Sequence, residues 1–167
     1  WLNDLPGAMI QVRHALKPDG VFLGCMFGGS TLTELRTSLI AAESELYGGA
    51  SPRISPMPGL QDVAGLLQRT GFALPVADIE RVTVRYQTPL KLLQDLRGMG
   101  DQAAFVKAPR GAARRPLTRR LIARMTEIYH DQFSDPDGRV RATFEIIWLS
   151  GWAPSADQPQ PLKPGSA

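Results

Sequence analysis

Apolar positions along this chain change period several times, and each change marks an element. Met9, Val12 and Leu16 recur at helical spacing behind Asp4-Leu5-Pro6, an N-cap with proline in the first turn. That helix is predicted to end near Lys17-Pro18-Asp19-Gly20. The continuous run from Val21 to Phe27 reads as a strand covered on both faces, as in a parallel sheet flanked by helices. Thr31-Leu32-Thr33-Glu34 has the spacing of a capping box, and Leu32, Leu35, Leu39 and Leu46 mark one face of a helix to about Tyr47. Residues 48 to 59, rich in proline and glycine, predict an irregular loop, and Leu60 to Thr70 a short helix closed by Gly71.

The second half follows the same logic. Val82, Val84 and Tyr86 alternate with Arg81, Thr83 and Arg85, predicting a strand over about 79 to 86 with one polar face. Residues 88 to 133 read as helical with a central loop: Pro89 to Leu96, then a longer helix striped by Leu117, Leu121, Met125, Ile128 and Tyr129. Asp135-Pro-Asp-Gly138 is a turn by composition. The strand Val140 to Trp152 alternates at first and turns apolar on both faces at "IIWL". Residues 153 to 167, polar and proline-rich, read as a flexible tail.

Composition narrows the classes. At 167 residues and 43% hydrophobic, the chain has the content of one globular domain, with neither a membrane span nor a signal peptide visible in the sequence. A start at Trp1 instead of methionine reads as a truncated gene model. The single cysteine, Cys25, lies within "VFLGCMF"; it reads as a small buried hydrophobe and suits a reducing compartment. The net charge of +3 is concentrated in Lys107, Arg110, Arg114, Arg115, Arg119, Arg120 and Arg124. Without interleaved aromatics or a nucleic-acid motif, this segment reads as an exposed helix face, with Arg114, Arg115, Arg119 and Arg120 available to an acidic protein partner and not to nucleic acid.

The remaining candidate chemistry is sparse. Gly28-Gly29, after a strand and before a helix, could admit a phosphate or carboxylate or could simply form a tight turn; no G-x-G-x-x-G or GK[ST] accompanies it. His14 and His130 sit in helix patterns without metal-ligand spacing, Ser30 and Ser55 lack the surroundings of a nucleophile, and Trp148 and Trp152 read as core or sheet-edge residues.

Taken as blocks, the residues resemble a known family. "WLNDLPGAMIQVRHALKPDGVFLGCMFGGSTLTELR" resembles the second half of class I S-adenosylmethionine-dependent methyltransferases, from the end of the fourth strand through the fifth. "SPRISP" and "DLRGMG" are similar to blocks of the bacterial relatives of the mitochondrial arginine hydroxylase that assists respiratory complex I assembly, and more distantly to malonyl-acyl-carrier-protein O-methyltransferase.

The resemblance implies an α/β fold: the C-terminal part of a Rossmann-like domain, strands five to seven over residues 1 to 152, with a helical insertion before the last strand. The last strand should lie antiparallel between the other two. Strands one to four, with the glycine-rich loop and ribose-binding acid, would precede Trp1, so S-adenosylmethionine is expected to bind the full-length protein and not this segment alone. It further implies Trp1, Asn3, Asp4, Phe27 and Gly28 beside the cofactor, and Gly29, Glu34, Arg36, Arg53 and Met99 on the substrate side. No catalytic residue, metal site or facial metal triad follows from it. The implied activity is methyl transfer or arginine hydroxylation on a protein substrate such as a complex I subunit. The rivals are carboxyl methylation of an acyl-carrier-protein thioester and a non-catalytic assembly module. The implied location is the bacterial cytoplasm, or the mitochondrial matrix in a eukaryote.

Overall fold

The computed structural model describes Leu2 and residues 4–51, 53–54, 56–100 and 116–158. In chain order the elements are α1 (Leu5–Ala15), β1 (Val21–Phe27), α2 (Thr33–Tyr47), α3 (Leu60–Arg69), β2 (Ala73–Tyr86), α4 (Pro89–Gly98), α5 (Arg119–Phe133) and β3 (Val140–Trp152). The strands form one sheet in the order β1-β3-β2. Partner numbers run in opposite directions along β1 and β3, from Ala153 donating to Gly20 (2.8 Å) to Gly28 donating to Glu145 (2.8 Å), so the pair is antiparallel. The last strand therefore sits in the centre, as the resemblance implies. β2 starts at Ala73, six residues earlier than expected. Pro75 argues against a central strand, but β2 is an edge, where a missing N–H costs nothing in the ladder.

The chain divides into two compact units: Trp1–Met26, Pro58–Glu80 and Ile147–Ala167 form the first, Phe27–Met57 and Arg81–Ile146 the second. In the first unit, Asp4 caps α1 by accepting from the Gly7 amide at 2.9 Å, and Gly71 (φ 79°) turns the chain out of α3. Met9, Val63, Leu66, Leu67, Phe72, Ile147 and Leu149 form its core, joined by Phe22, whose ring lies 5.5 Å from that of Phe72. Only alternate residues of β1 face inward. Val21, Leu23 and Cys25 are exposed, Leu23 at 73%, so the expectation of a strand buried on both faces, with Cys25 inside, is corrected. Trp148 is likewise exposed, its indole N–H donating to Glu80 at 3.0 Å. Leu23, Cys25, Val76, Asp78, Trp148 and Ser150 line a cavity of ≈ 450 Å³ on this face. Order continues past Trp152: Asp19 donates to the Ala153 carbonyl (3.1 Å), and the Gln158 amide donates to Asp19 (2.7 Å) and to Ala153 (3.0 Å). The expected flexible tail thus does not begin at 153; residues 159 to 167 lie outside the described ones.

In the second unit, α2, α4 and α5 pack around Leu35, Leu39, Leu92, Leu121, Met125, Ile128 and Tyr129, and β3 contributes Val140, Ala142 and Phe144. The buried Tyr129 hydroxyl donates to the Arg141 carbonyl at 2.8 Å; burial, then the nearby Glu34 charge, raises its pKa and keeps it a donor. Leu117, expected on the apolar stripe, is exposed and precedes the Thr118 N-cap of α5. The predicted turn holds: Gly138 has φ 80° and its amide donates to Asp135 at 2.8 Å.

The capping box does not form. α2 starts at Thr33 behind Leu32, a non-glycine residue at φ 55°, and no side chain caps it. The Thr31 hydroxyl instead accepts from the Glu145 amide and donates to its carbonyl, both at 3.0 Å, while Glu34 accepts from the amide (3.1 Å) and hydroxyl (2.5 Å) of Thr143. Thr31 and Glu34 are both buried, and their side chains serve polar groups of β3 instead of a local cap.

Candidate functional site

β1 ends at Phe27, and the next residues make a turn held against β3. The Gly28 amide donates to Glu145, the Leu32 amide to the Thr143 carbonyl (2.7 Å), and between these rungs the Thr31 amide closes back on Gly28 at 3.0 Å. Gly29 and Ser30 are therefore the two central residues of a β-turn.

Glu145 lies beneath this turn. Its side chain is 5% exposed, accepts from Arg81 Nε at 3.0 Å and takes the Ser30 amide at 3.4 Å. Burial pushes the Glu145 carboxyl up, but the Arg81 guanidinium and Ser30 outweigh it and hold the group below the usual carboxylate range. It is ionised at neutral pH. Arg36 reaches the same turn from α2, donating to the Gly29 carbonyl at 3.3 Å.

Of the residues assigned to the substrate side, the structure brings Arg36 onto Gly29. Glu34 faces inward to Thr143 and is 7% exposed. Arg53 is elsewhere in the same unit: its Nε (2.9 Å) and Nη2 (2.5 Å) both donate to Glu43, which is fully buried and also accepts from the Ser51 amide at 2.6 Å. Met99, at the C-cap of α4, is 57% exposed. Among the cofactor positions, Asp4 caps α1 in the first unit, while Phe27 and Gly28 belong to the second; Trp1 and Asn3 lie outside the described residues. The Phe27 ring, 38% exposed, stands 6.0 Å from Phe144.

The fit to S-adenosylmethionine follows from these partners. In the second unit the Gly28 amide is engaged by β3 and the Phe27 ring offers an apolar surface, while in the first unit the exposed Asp4 carboxylate, with one oxygen capping α1, keeps room for a further donor.

Arg119 and Arg120 are exposed at the start of α5, whereas Arg124 pairs with Glu45 (2.6 Å) and Glu127 (2.9 Å); Arg114 and Arg115 lie outside the described residues. His14 and His130 are exposed. Among the described residues, no group of three or more His, Cys, Asp or Glu is placed to hold a metal, and no helix is long and apolar enough to cross a membrane.

No family model matches the chain. Over all 167 residues it is 42% identical to the mitochondrial arginine-hydroxylase NDUFAF5 of Danio rerio. That match takes in 100% of this chain and 50% of the zebrafish protein. The chain thus spans about half the length of the curated relatives it matches. Similarity to the malonyl-[acyl-carrier protein] O-methyltransferase of Halorhodospira halophila is lower, 32% over 152 residues, 91% of this chain and 48% of that protein. A solved Bacillus halodurans structure, itself only provisionally called a methyltransferase, has a TM-score of 0.47 and 17% identity, covering 92% of this chain and 60% of that one. The two enzyme groups named by the resemblance are thus the ones the chain is similar to, in the order implied.

Sequence reasoning passed over Glu145, Arg81, Thr143 and Glu43. One signal was present. Glu145 opens the apolar run "EIIWL" of a strand placed in the sheet centre, where a carboxylate must have a partner.

Proposed function

We propose that this chain is part of a methyltransferase-like protein of the arginine-hydroxylase type that acts on a protein substrate, with S-adenosylmethionine as cofactor of the full-length protein. The observation that carries the reading is the 42% identity to the zebrafish arginine-hydroxylase over every residue of the chain, against 32% over 91% of it for the malonyl-carrier enzyme. The sheet order supports it, since a last strand lying antiparallel in the centre is what the resemblance implies. In this reading residues 1 to 152 are the C-terminal portion of the domain. Trp1, Asn3, Asp4, Phe27 and Gly28 lie toward the cofactor, and Gly29, Arg36 and Met99 toward the substrate. Glu34 and Arg53 serve from behind, through Thr143 and Glu43.

A respiratory complex I subunit is the candidate substrate, and Arg119 and Arg120 are the described part of a docking face for an acidic protein. The matrix is the location in a eukaryote and the cytoplasm in a bacterium. The test is mass spectrometry of protein substrate after incubation with the complete protein and S-adenosylmethionine. Gain of a methyl group on arginine, or of an oxygen when dioxygen and a reductant are supplied as well, supports the reading. Methylation of malonyl-acyl-carrier-protein with arginine untouched transfers the assignment to the carboxyl methyltransferase. Calorimetry of the 167-residue chain alone should show no saturable S-adenosylmethionine binding tighter than about 100 micromolar.

A further inference from the structure

The Gly29 carbonyl and the Ser30 amide belong to one peptide group, and the structure holds both ends of it. Arg36 donates to the carbonyl at 3.3 Å, and the Ser30 amide donates to Glu145 at 3.4 Å. This is the central peptide of the turn, the group whose flip interconverts β-turn types I and II; Ser30, the third residue of the turn, is not at positive φ, and the flipped form would require it there. Which orientation is present decides whether the turn shows a carbonyl or an N–H to whatever lies beyond β1.

The clamp is not needed to tie the turn to the sheet. The Gly28 and Leu32 rungs and the Thr31 hydroxyl already do that through the backbone of residues 143 to 145. Among the described residues, the Glu145 carboxylate contacts Ser30 and Arg81. A buried carboxylate paired to a largely exposed arginine is a weak source of stability for its desolvation cost.

We propose that Glu145 is a positioning residue: with Arg36 it locks the Gly29–Ser30 peptide in one orientation, so that a ligand at the end of β1 meets a fixed surface. The ligand part rests on the methyltransferase-type reading; the lock itself does not. Pre-orienting such a group removes an ordering cost from binding.

The test uses Glu145→Ala, Glu145→Gln and Arg36→Gln in the complete protein. Amide exchange at Ser30 and melting temperature are read without ligand, and affinity by calorimetry with S-adenosylmethionine. Loss of one hydrogen bond predicts exchange at Ser30 about tenfold faster and binding about tenfold weaker for E145A. E145Q, which retains an acceptor for Ser30, should stay near wild type in both, and R36Q should loosen the same peptide from its other end. If E145A does not fold, R36Q carries the test. Unchanged Ser30 exchange in E145A and R36Q overturns the lock, and faster exchange with unchanged affinity overturns the positioning role. Wild-type protein that fails to bind S-adenosylmethionine refutes the methyltransferase-type reading instead, while the exchange data still decide the lock.

Discussion

Arg53→Ala should destabilise the protein far more than loss of a surface contact would. Glu43 is fully buried, and its three described donors are the Ser51 amide and two nitrogens of Arg53, both on the same oxygen. Truncating Arg53 leaves a buried carboxylate with the Ser51 amide, a change of about 3–5 kcal/mol. The expected result is a deficit of about 3–5 kcal/mol at pH 7, roughly 6–20 °C in melting temperature for a chain of this size. Urea unfolding followed by tryptophan fluorescence measures it. Arg53→Lys should fall between, because an ammonium keeps the charge but lacks the guanidinium's geometry. A loss under about 1 kcal/mol at pH 7 refutes the reasoning. Reduced activity at unchanged stability would return Arg53 to the substrate side.

Three further outcomes are expected. Because the Glu145 carboxyl is held below its ordinary value, its contribution to stability is complete above about pH 4.5 and lost as pH falls through the lower folded value; Glu145→Gln should flatten part of the acid limb in denaturant midpoints measured from pH 6 to 3. Thr31→Val removes the hydroxyl that serves both backbone groups of Glu145 and should cost about 1–3 kcal/mol, with faster exchange at the Glu145 amide; a loss of helix signal without that exchange change would restore the capping box. Cys25 in the 167-residue chain should react with one equivalent of a thiol reagent without denaturant, and protection until unfolding would show that the outer face of β1 is covered.

The elements that sequence reads well here are those decided by their own periodicity. α2 and α5 carry apolar residues at helical spacing, and each buries the face that spacing marks. The Asp135–Gly138 turn needs only its residue types. β1 shows where this stops. An apolar run states that a strand can be covered on both faces, but only what packs against it decides whether it is, and in this chain Phe22 and Met26 turn inward while Leu23 does not. β2 shows the converse, since Pro75 reads as a stop until the strand's place at the sheet edge is known.

The site was legible by residue type and not by partner. Thr31-x-x-Glu34 satisfies a local cap and a remote clasp equally well on paper, and what separates them is Thr143 and Glu145, more than a hundred residues away. Arg36 and Arg53 were both placed toward substrate because they sit in family blocks, yet one reaches a peptide carbonyl and the other a buried glutamate. The pairing of Glu145 with Arg81 was within reach. A carboxylate on a central strand costs several kcal/mol unless a donor meets it, and an adjacent strand is one place to look for that donor, since neighbours on β3 itself point to the other face or lie two residues away. The strand expected beside it presented Arg81, Thr83 and Arg85 on its polar face. Of these, Arg85 is paired with Asp135 and Asp137, acids supplied by the turn at the far end of the same antiparallel register, which leaves Arg81 opposite the middle of β3. Register, once the two strands are set antiparallel, therefore assigns the arginine that meets Glu145 beneath the glycine turn.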